Sequence, residues 1–153
     1  MVLFAILIIM AIVGIGLIDI SEPQIKRARE NSRFIIHGIT EIDEAVSSLW
    51  RRHVAYNDVW LTTGTMTLAQ LKTLTGTDFF LLKWPGVKDV TITVKNVTNG
   101  SNINVAVNIK AGFRIDSILI KKELKNVIVK ENPALHFTTI SVTKFLRKET
   151  GLM

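Results

Sequence analysis

Residues 1–18 form a continuous apolar run, and the first ionisable side chain is that of Asp19. Folded as an α-helix, this run would be roughly 27 Å long at about 1.5 Å per residue, close to the hydrocarbon thickness of a bilayer. A cleaved signal peptide and a buried helix of a soluble domain are the alternatives. The run lacks a basic start and a small-residue cleavage site, and the remaining chain is too short to surround it easily. The pattern therefore predicts a transmembrane or filament-core helix over 1–20.

A second helical pattern continues from the first. Apolar or small side chains recur at spacings of three and four for about four heptads, as on one face of an amphipathic helix. The positions of this stripe are Ile25, Ala28, Ser32, Ile35, Ile39, Ile42, Val46 and Leu49. The stripe predicts an amphipathic continuation over 21–56 whose second half packs on the rest of the chain. Pro23 either bends one continuous helix or lies in the first turn of a new helix capped by Ser21.

If the two segments form one helix, it spans about 54 residues and is roughly 80 Å long. A compact domain of about 100 residues has a radius of gyration of about 13 Å. The helix must therefore project far beyond its own globular part. Gly14, Gly16 and Gly38 are weak points along it, because glycine costs about 1 kcal/mol relative to alanine. Gly14 and Gly16 also permit close approach of neighbouring helices.

Residues 57–153 have the composition of a globular head. After a loop over 57–65, Thr67 and Gln70 occupy the two key positions of a capping box, which predicts a short helix that Gly76 ends.

The strongest β signal of the chain is a hairpin. Residues 90–95 and 103–110 alternate between apolar and polar side chains, and an Asn-Gly turn signal lies between them within 98–101. This pattern predicts two antiparallel strands with one buried face, and the amphipathic helix is the available partner for that face. The predicted fold class is therefore α+β, with a long N-terminal helix packed against a C-terminal antiparallel sheet.

Four further segments complete the predicted head. The apolar run 79–84 is predicted to be buried, and 113–115 to add a strand. Residues 135–145 are rich in Thr, Ile, Val and Phe and predict a closing strand. The charged tail 146–153 is expected to fray.

One segment between these strands is ambiguous. Asp116 or Ser117 can cap a helix that runs to about Glu131, because apolar residues follow at helical spacing. The β-branched stretch 127–129 suits a strand equally well. The helix is the expectation, and the strand is the alternative.

The net charge of +6 is unevenly placed, because acids and bases balance between Asp19 and Tyr56 and the whole surplus lies beyond Tyr56. A basic head favours DNA, anionic lipid or acidic glycans as partners, and a lysine-rich solubilising surface is the simpler interpretation. The chain has no cysteine, which excludes disulfides and thiolate metal sites. Its three histidines have no ligand-like spacing, and no nucleophile elbow, P-loop or paired-carboxylate motif is present. We therefore expect no enzyme activity, no cofactor and no metal.

The layout resembles the type IV pilins and pilin-like pseudopilins, including minor and type IVb-like members. The residues that carry this resemblance are the apolar segment starting at Met1, Pro23 just after it, and the basic amphipathic continuation. The resemblance implies a filament-core helix with an α+β head outside, an N-methylated Met1, and a basic leader removed by a prepilin peptidase. Removal of such a leader would also explain why basic residues follow the apolar segment, an order that otherwise places the head in the cytoplasm. The chain departs from the family at Ala5, where a glutamate is typical.

The resulting expectation is a structural subunit of a type IV pilus-like filament or secretion pseudopilus. Its partners would be copies of itself or other pilins, the inner-membrane assembly platform, the prepilin peptidase and the bilayer, with DNA a weaker candidate. It would be held in the inner membrane, head outward, before joining an extracellular or periplasmic filament. The expected assembly residues are Leu3, Phe4, Leu7, Met10, Gly14, Leu17 and Pro23, and the expected intersubunit charges are Arg27, Arg29, Glu30, Arg33 and Glu41. The alternative is a single-span accessory protein whose basic head binds a partner or DNA and does not polymerise.

Overall fold

The computed structural model describes the backbone of residues 2–148 and the side chains of residues 22–148. The fold is α+β, as expected, with a long N-terminal helix and one antiparallel sheet of five strands in the order β1-β2-β3-β5-β4. The elements are α1 (Val2–Tyr56), β1 (Gly64–Thr67), α2 (Leu68–Thr75), a 3-10 helix (Phe80–Leu82), β2 (Val87–Val97), β3 (Gly100–Lys110), α3 (Ser117–Glu123), β4 (Val127–Asn132) and β5 (Phe137–Arg147).

Helix α1 has 55 residues and continues through Pro23, so the alternative of a new helix capped by Ser21 is wrong. The middle of the predicted stripe is confirmed, because its five residues from Ser32 to Val46 are all buried. Ile25, in the first half of the stripe, is 51% exposed, in keeping with the prediction that the second half packs on the rest of the chain. Trp50, which the pattern did not include, is buried at the C-terminal end of the stripe. The head therefore covers α1 only from about its fourth described turn onward.

The inner face of the sheet packs on this buried stripe. Alternate residues of the central strands point to α1 and form the core, namely Val90, Ile92, Val94, Ile103, Val105, Val107, Ile109 and Ile140. Lys144 is an inward-facing position of β5 at the margin of the core, and its Nζ lies 3.0 Å from Asp43 Oδ1 and 2.9 Å from Ser47 Oγ on α1. Burial of the apolar faces, at about 25 cal/mol per Å², holds the helix on the sheet. The ion pair adds a polar contact between α1 and β5 at the margin of this interface.

The hairpin of β2 and β3 is confirmed, with a small shift at its turn. Val97 pairs with Gly100, so the turn consists of Thr98 and Asn99, one residue earlier than the Asn-Gly signal indicates. Gly100 is the first residue of β3, with φ 157°. A Cβ there would lie 2.1 Å from the carbonyl oxygen of Leu146, which explains why glycine occupies this position.

The capping box is also confirmed. The Gln70 backbone N–H donates to the Thr67 hydroxyl, and the Thr67 backbone N–H donates to the Gln70 side chain. Gly76 ends α2 in the left-handed conformation with φ 70°. These contacts satisfy the orphan backbone groups at both ends of a helix only two turns long.

Three predictions for the last third of the chain need correction. Residues 113–115 form no strand, and the helix that begins at Ser117 ends at Glu123 and not near Glu131. The alternative strand is the correct one, since β4 pairs with β5. Leu146, expected in a frayed tail, is a buried residue of β5. For β4 and for Leu146, pairing with a neighbouring strand decides the structure, and the local sequence pattern does not reveal that pairing.

The apolar run 79–84 is only partly buried. Phe79 and Leu81 lie in the core, whereas Leu82 is 41% exposed. Within the part of the chain whose side chains are described, no helix is long and apolar enough to span a membrane. The apolar run 1–18 lies outside that part.

Candidate assembly interface

Helix α1 is exposed to solvent where the description of its side chains begins. All six residues from Glu22 to Arg27 are exposed, and the first buried side chain along the helix is that of Ser32. Pro23, an expected assembly residue, is among the exposed ones. The other expected assembly residues, Leu3, Phe4, Leu7, Met10, Gly14 and Leu17, lie outside the described side chains, as does Met1.

The segment that follows β3 holds α1 at the point where the helix leaves the head. The backbone N–H of Asp116 donates to Ser32 Oγ over 2.6 Å, and Asn31 Nδ2 donates to the carbonyl oxygen of Arg114 over 2.9 Å. Arg114 Nη1 donates in turn to Gln24 Oε1 over 2.8 Å. These bonds, which we call the clasp, fix the direction in which α1 leaves the head, because they hold the helix at two points about two turns apart.

An open groove of about 360 Å³ lies beside the clasp. Its floor is formed by Ile25 and Ala28 of α1, and its far wall by Phe113 and Ile115. Ile25 stays half exposed because this groove separates it from the sheet. Ile25 and Ala28 thus lie on one face of α1, as the spacing of the stripe predicts. The head does not cover Ile25, which is therefore accessible to a partner.

The five expected intersubunit charges fall into two groups. Arg27, Glu30 and Arg33 are exposed. Arg29 and Glu41 contact their own head: Arg29 Nε lies 4.0 Å from Asp116 Oδ2, and Glu41 Oε1 accepts the backbone N–H of Phe80 over 2.9 Å. The first group is available to a partner in the isolated chain.

Glu41 has a second contact that ties it to the surface of the helix. Its Oε2 lies 3.5 Å from Nε2 of His37, one turn earlier. Glu41 therefore links the 3-10 helix to α1, a role that its position on a charged face does not reveal.

An aromatic cluster, unnoticed in the sequence, extends from α1 to the 3-10 helix. The ring centroid of Phe34 lies 5.5 Å from that of Phe80 and 6.1 Å from that of Trp84. Trp84 in turn contacts Phe113 edge-on at 5.6 Å. Phe34 is 42% exposed, although such a residue on a helix surface is more often covered. No local sequence signal identifies the cluster, because Phe34 and the run 79–84 lie about 45 residues apart in the chain.

Arg27, Glu30 and Phe34 follow one another at spacings of three and four, so they lie on one face of α1. We call these three residues the assembly stripe. It combines two opposite charges with an aromatic side chain, and all three are exposed. Chemically, such a stripe suits a protein partner with complementary charges and an apolar pocket.

Two carboxylates away from the stripe have altered acidity. The backbone N–H of Val59, together with Arg52, lowers the pKa of Asp58 below its ordinary value. Hydrogen bonds from Lys83 and Lys72 lower the pKa of Asp78. Asp58 joins the end of α1 to the loop after it, and Asp78 joins α2 to the end of the 3-10 helix. Among the described residues, no group of three or more His, Cys, Asp or Glu side chains is placed to hold a metal ion.

No protein-family model, curated protein or solved structure matches the chain. The class that the fold defines is an α+β protein built on one long N-terminal helix, with an antiparallel sheet on the helix's second half. Function therefore has to be argued from this geometry and from the sequence.

Proposed function

We propose that the protein is a structural subunit of a type IV pilus-like filament or a secretion pseudopilus. Before assembly it is anchored in the inner membrane by a transmembrane helix over 1–20. In the filament the same segment packs against the equivalent segments of neighbouring copies. The observation that carries the proposal is the relation between α1 and the head: α1 runs from Val2 to Tyr56, and the side chains from Glu22 to Arg27, where the description of its side chains begins, are all exposed.

In this proposal the apolar first part of α1 finds its partners outside its own chain. The apolar residues 1–18 need a bilayer or neighbouring helices, because water would leave their apolar surface exposed. Moving from bilayer to filament gains little hydrophobic energy, since lipid is equally apolar, so close packing must supply the stabilisation. Gly14 and Gly16 suit such packing, because they let helix backbones approach.

The clasp and the assembly stripe support the same function. The clasp fixes the angle between α1 and the head, which a regular filament requires because every copy must present the same surfaces. The stripe, with Arg27 beside Glu30, offers charges of both signs to a neighbouring copy. Opposite charges on identical copies can pair in a staggered arrangement and so set the register.

Co-purification with sheared filaments tests the proposal. The chain is expected in the sheared filament fraction, and retention of all of it in the membrane fraction would favour the non-polymerising accessory protein. Gly14→Leu is expected to reduce the filament yield at least about tenfold, because the added side chain separates the packed helices. The matched control is Ile15→Leu, a volume-conserving change in the same run that should leave the yield unchanged. Normal filaments from Gly14→Leu would contradict the packing role.

A further inference from the structure

The outer face of the sheet, on the side away from α1, carries basic and aromatic side chains at its hairpin end. Across three neighbouring strands Lys95 pairs with Asn102, and Asn102 pairs with Phe145. Two residues further along β5, Arg147 lies opposite Gly100. Lys95, Phe145 and Arg147 are exposed. We call Lys95, Asn102, Phe145 and Arg147 the tip patch.

Phe145 is held in place by the glycine beside it. A Cβ built on Gly100 would lie 2.9 Å from Cζ of Phe145, so the ring extends over a position that has no side chain. Even so, 48% of Phe145 remains exposed. The ring thus rests on the backbone of β3 and keeps a large accessible surface, which is the arrangement of a stacking platform.

The charge around this platform is positive. Lys95 and Arg147 flank it, and none of the salt bridges among residues 22–148 involves either side chain. In the strand register Asn102 lies between Lys95 and Phe145, and its side-chain amide can donate and accept hydrogen bonds. A ligand that complements the tip patch therefore needs negative charges on both sides of a flat, unsaturated group.

We propose that the tip patch binds single-stranded nucleic acid. Lys95 and Arg147 neutralise two phosphates, and an unpaired base stacks on Phe145. A duplex fits the platform poorly, because the faces of its bases are covered by their neighbours. An acidic glycan is the competing ligand, because a sugar ring also stacks on an aromatic face, and the test compares the two directly. The proposal goes beyond filament assembly and does not depend on it, since the patch lies on the sheet face opposite α1.

Fluorescence anisotropy with the full chain in neutral detergent tests the proposal. The probe is labelled oligothymidylate of about 20 nucleotides, longer than the usual sites of about 4–16 nucleotides. Phe145→Leu is expected to weaken binding about five- to a hundredfold, whereas Phe145→Trp, which keeps an aromatic face, retains it. The matched control is Phe137→Leu on the same face of β5, because the Lys88 ammonium already lies 4.6 Å from that ring's centroid. This control should bind like the unaltered chain.

The salt dependence supplies a second readout. Lys95→Gln and Arg147→Gln should each reduce the slope of log affinity against log salt by about 0.7. Lys122→Gln on α3, far from the patch in sequence, should leave the slope unchanged. Thermal unfolding confirms that each variant is folded. Equal affinity for duplex DNA, tighter binding of an acidic polysaccharide, or unchanged affinity in folded Phe145→Leu would each overturn the proposal.

Discussion

Leu81 lies directly on Gly38, near the middle of α1. A Cβ built on Gly38 would stand 2.2 Å from Cγ of Leu81, so the absent side chain is what lets the 3-10 helix approach α1. The sequence predicted Gly38 only as a weak point in the helix. The structure shows that glycine at this position, although unfavourable for the helix, allows Leu81 to pack in the core.

Gly38→Ala should destabilise the head. Alanine gains about 1 kcal/mol of helix propensity, but overpacking of a core costs about 1–3 kcal/mol, and the clash involves the branch point of Leu81. We expect a net loss of about 1 kcal/mol and a larger loss for Gly38→Val. Chemical denaturation measures the difference, with Ser48→Ala on an exposed position of α1 as the control. A more stable Gly38→Ala variant would contradict the packing role.

Glu41→Ala should cost about 1–3 kcal/mol of stability. The change leaves the partly buried backbone N–H of Phe80 without its acceptor, and an unsatisfied donor carries that penalty. Glu41→Gln keeps the acceptor oxygen and should lose less than half as much. Equal losses in the two variants would show that the negative charge matters more than the hydrogen bond.

Gly100→Ala should destabilise the hairpin end of the sheet by more than about 2 kcal/mol. The new Cβ would lie 2.1 Å from the carbonyl oxygen of Leu146, and backbone cannot move aside as a flexible side chain can. Gly76→Ala is the matched control, because its φ of 70° also disfavours alanine but nothing lies within 4 Å of the added atom. Thermal unfolding that ranks Gly76→Ala as the worse variant would contradict the clash.

Acid should weaken the link between α2 and the 3-10 helix through Asp78. Lys83 and Lys72 hold the folded-state pKa of this carboxyl below its ordinary value of about 3.9. The ionised carboxylate of Asp78 therefore stabilises the folded state at pH values above about 4. This stabilisation is lost as the pH falls through the folded-state pKa. Between about pH 6 and pH 3, Asp78→Asn should lose less thermal stability than the unaltered chain. Glu44→Gln is the control and should lose as much thermal stability as the unaltered chain. An equally large loss in Asp78→Asn would show that Asp78 does not link α2 to the 3-10 helix.

Phe34→Ala should lower the filament yield about fivefold or more while leaving the head folded, if the assembly stripe contacts a neighbouring copy. Leu74→Ala, on an α2 side chain that is 51% exposed, is the control and should assemble normally. Sheared filaments are quantified by immunoblot for both variants. Equal yields would exclude Phe34 from the interface.

Much of the fold could be predicted because its signals are local. The stripe from Ser32 to Val46, the capping box at Thr67 and the alternation in β2 and β3 each need only a few neighbouring residues. The predicted helix from Ser117 to Glu131 was wrong because its second half pairs with β5. Such pairing is non-local, and spacing within one segment does not reveal it.

The candidate site was predicted less completely. Charge and helical spacing identified Arg27 and Glu30, and the structure leaves both exposed. The same reasoning could not separate them from Glu41, whose partner Phe80 is 39 residues away in the chain. It also missed the clasp and the tip patch, because both join side chains from distant elements.

Cryo-electron microscopy of sheared filaments that contain the chain tests the central claim most directly. We predict a core of closely packed helices formed by 1–20 of many copies, with each head outside and the outer face of its sheet turned away from the axis. Filaments with the heads in the core, or sheared filaments that never contain the chain, would contradict the claim.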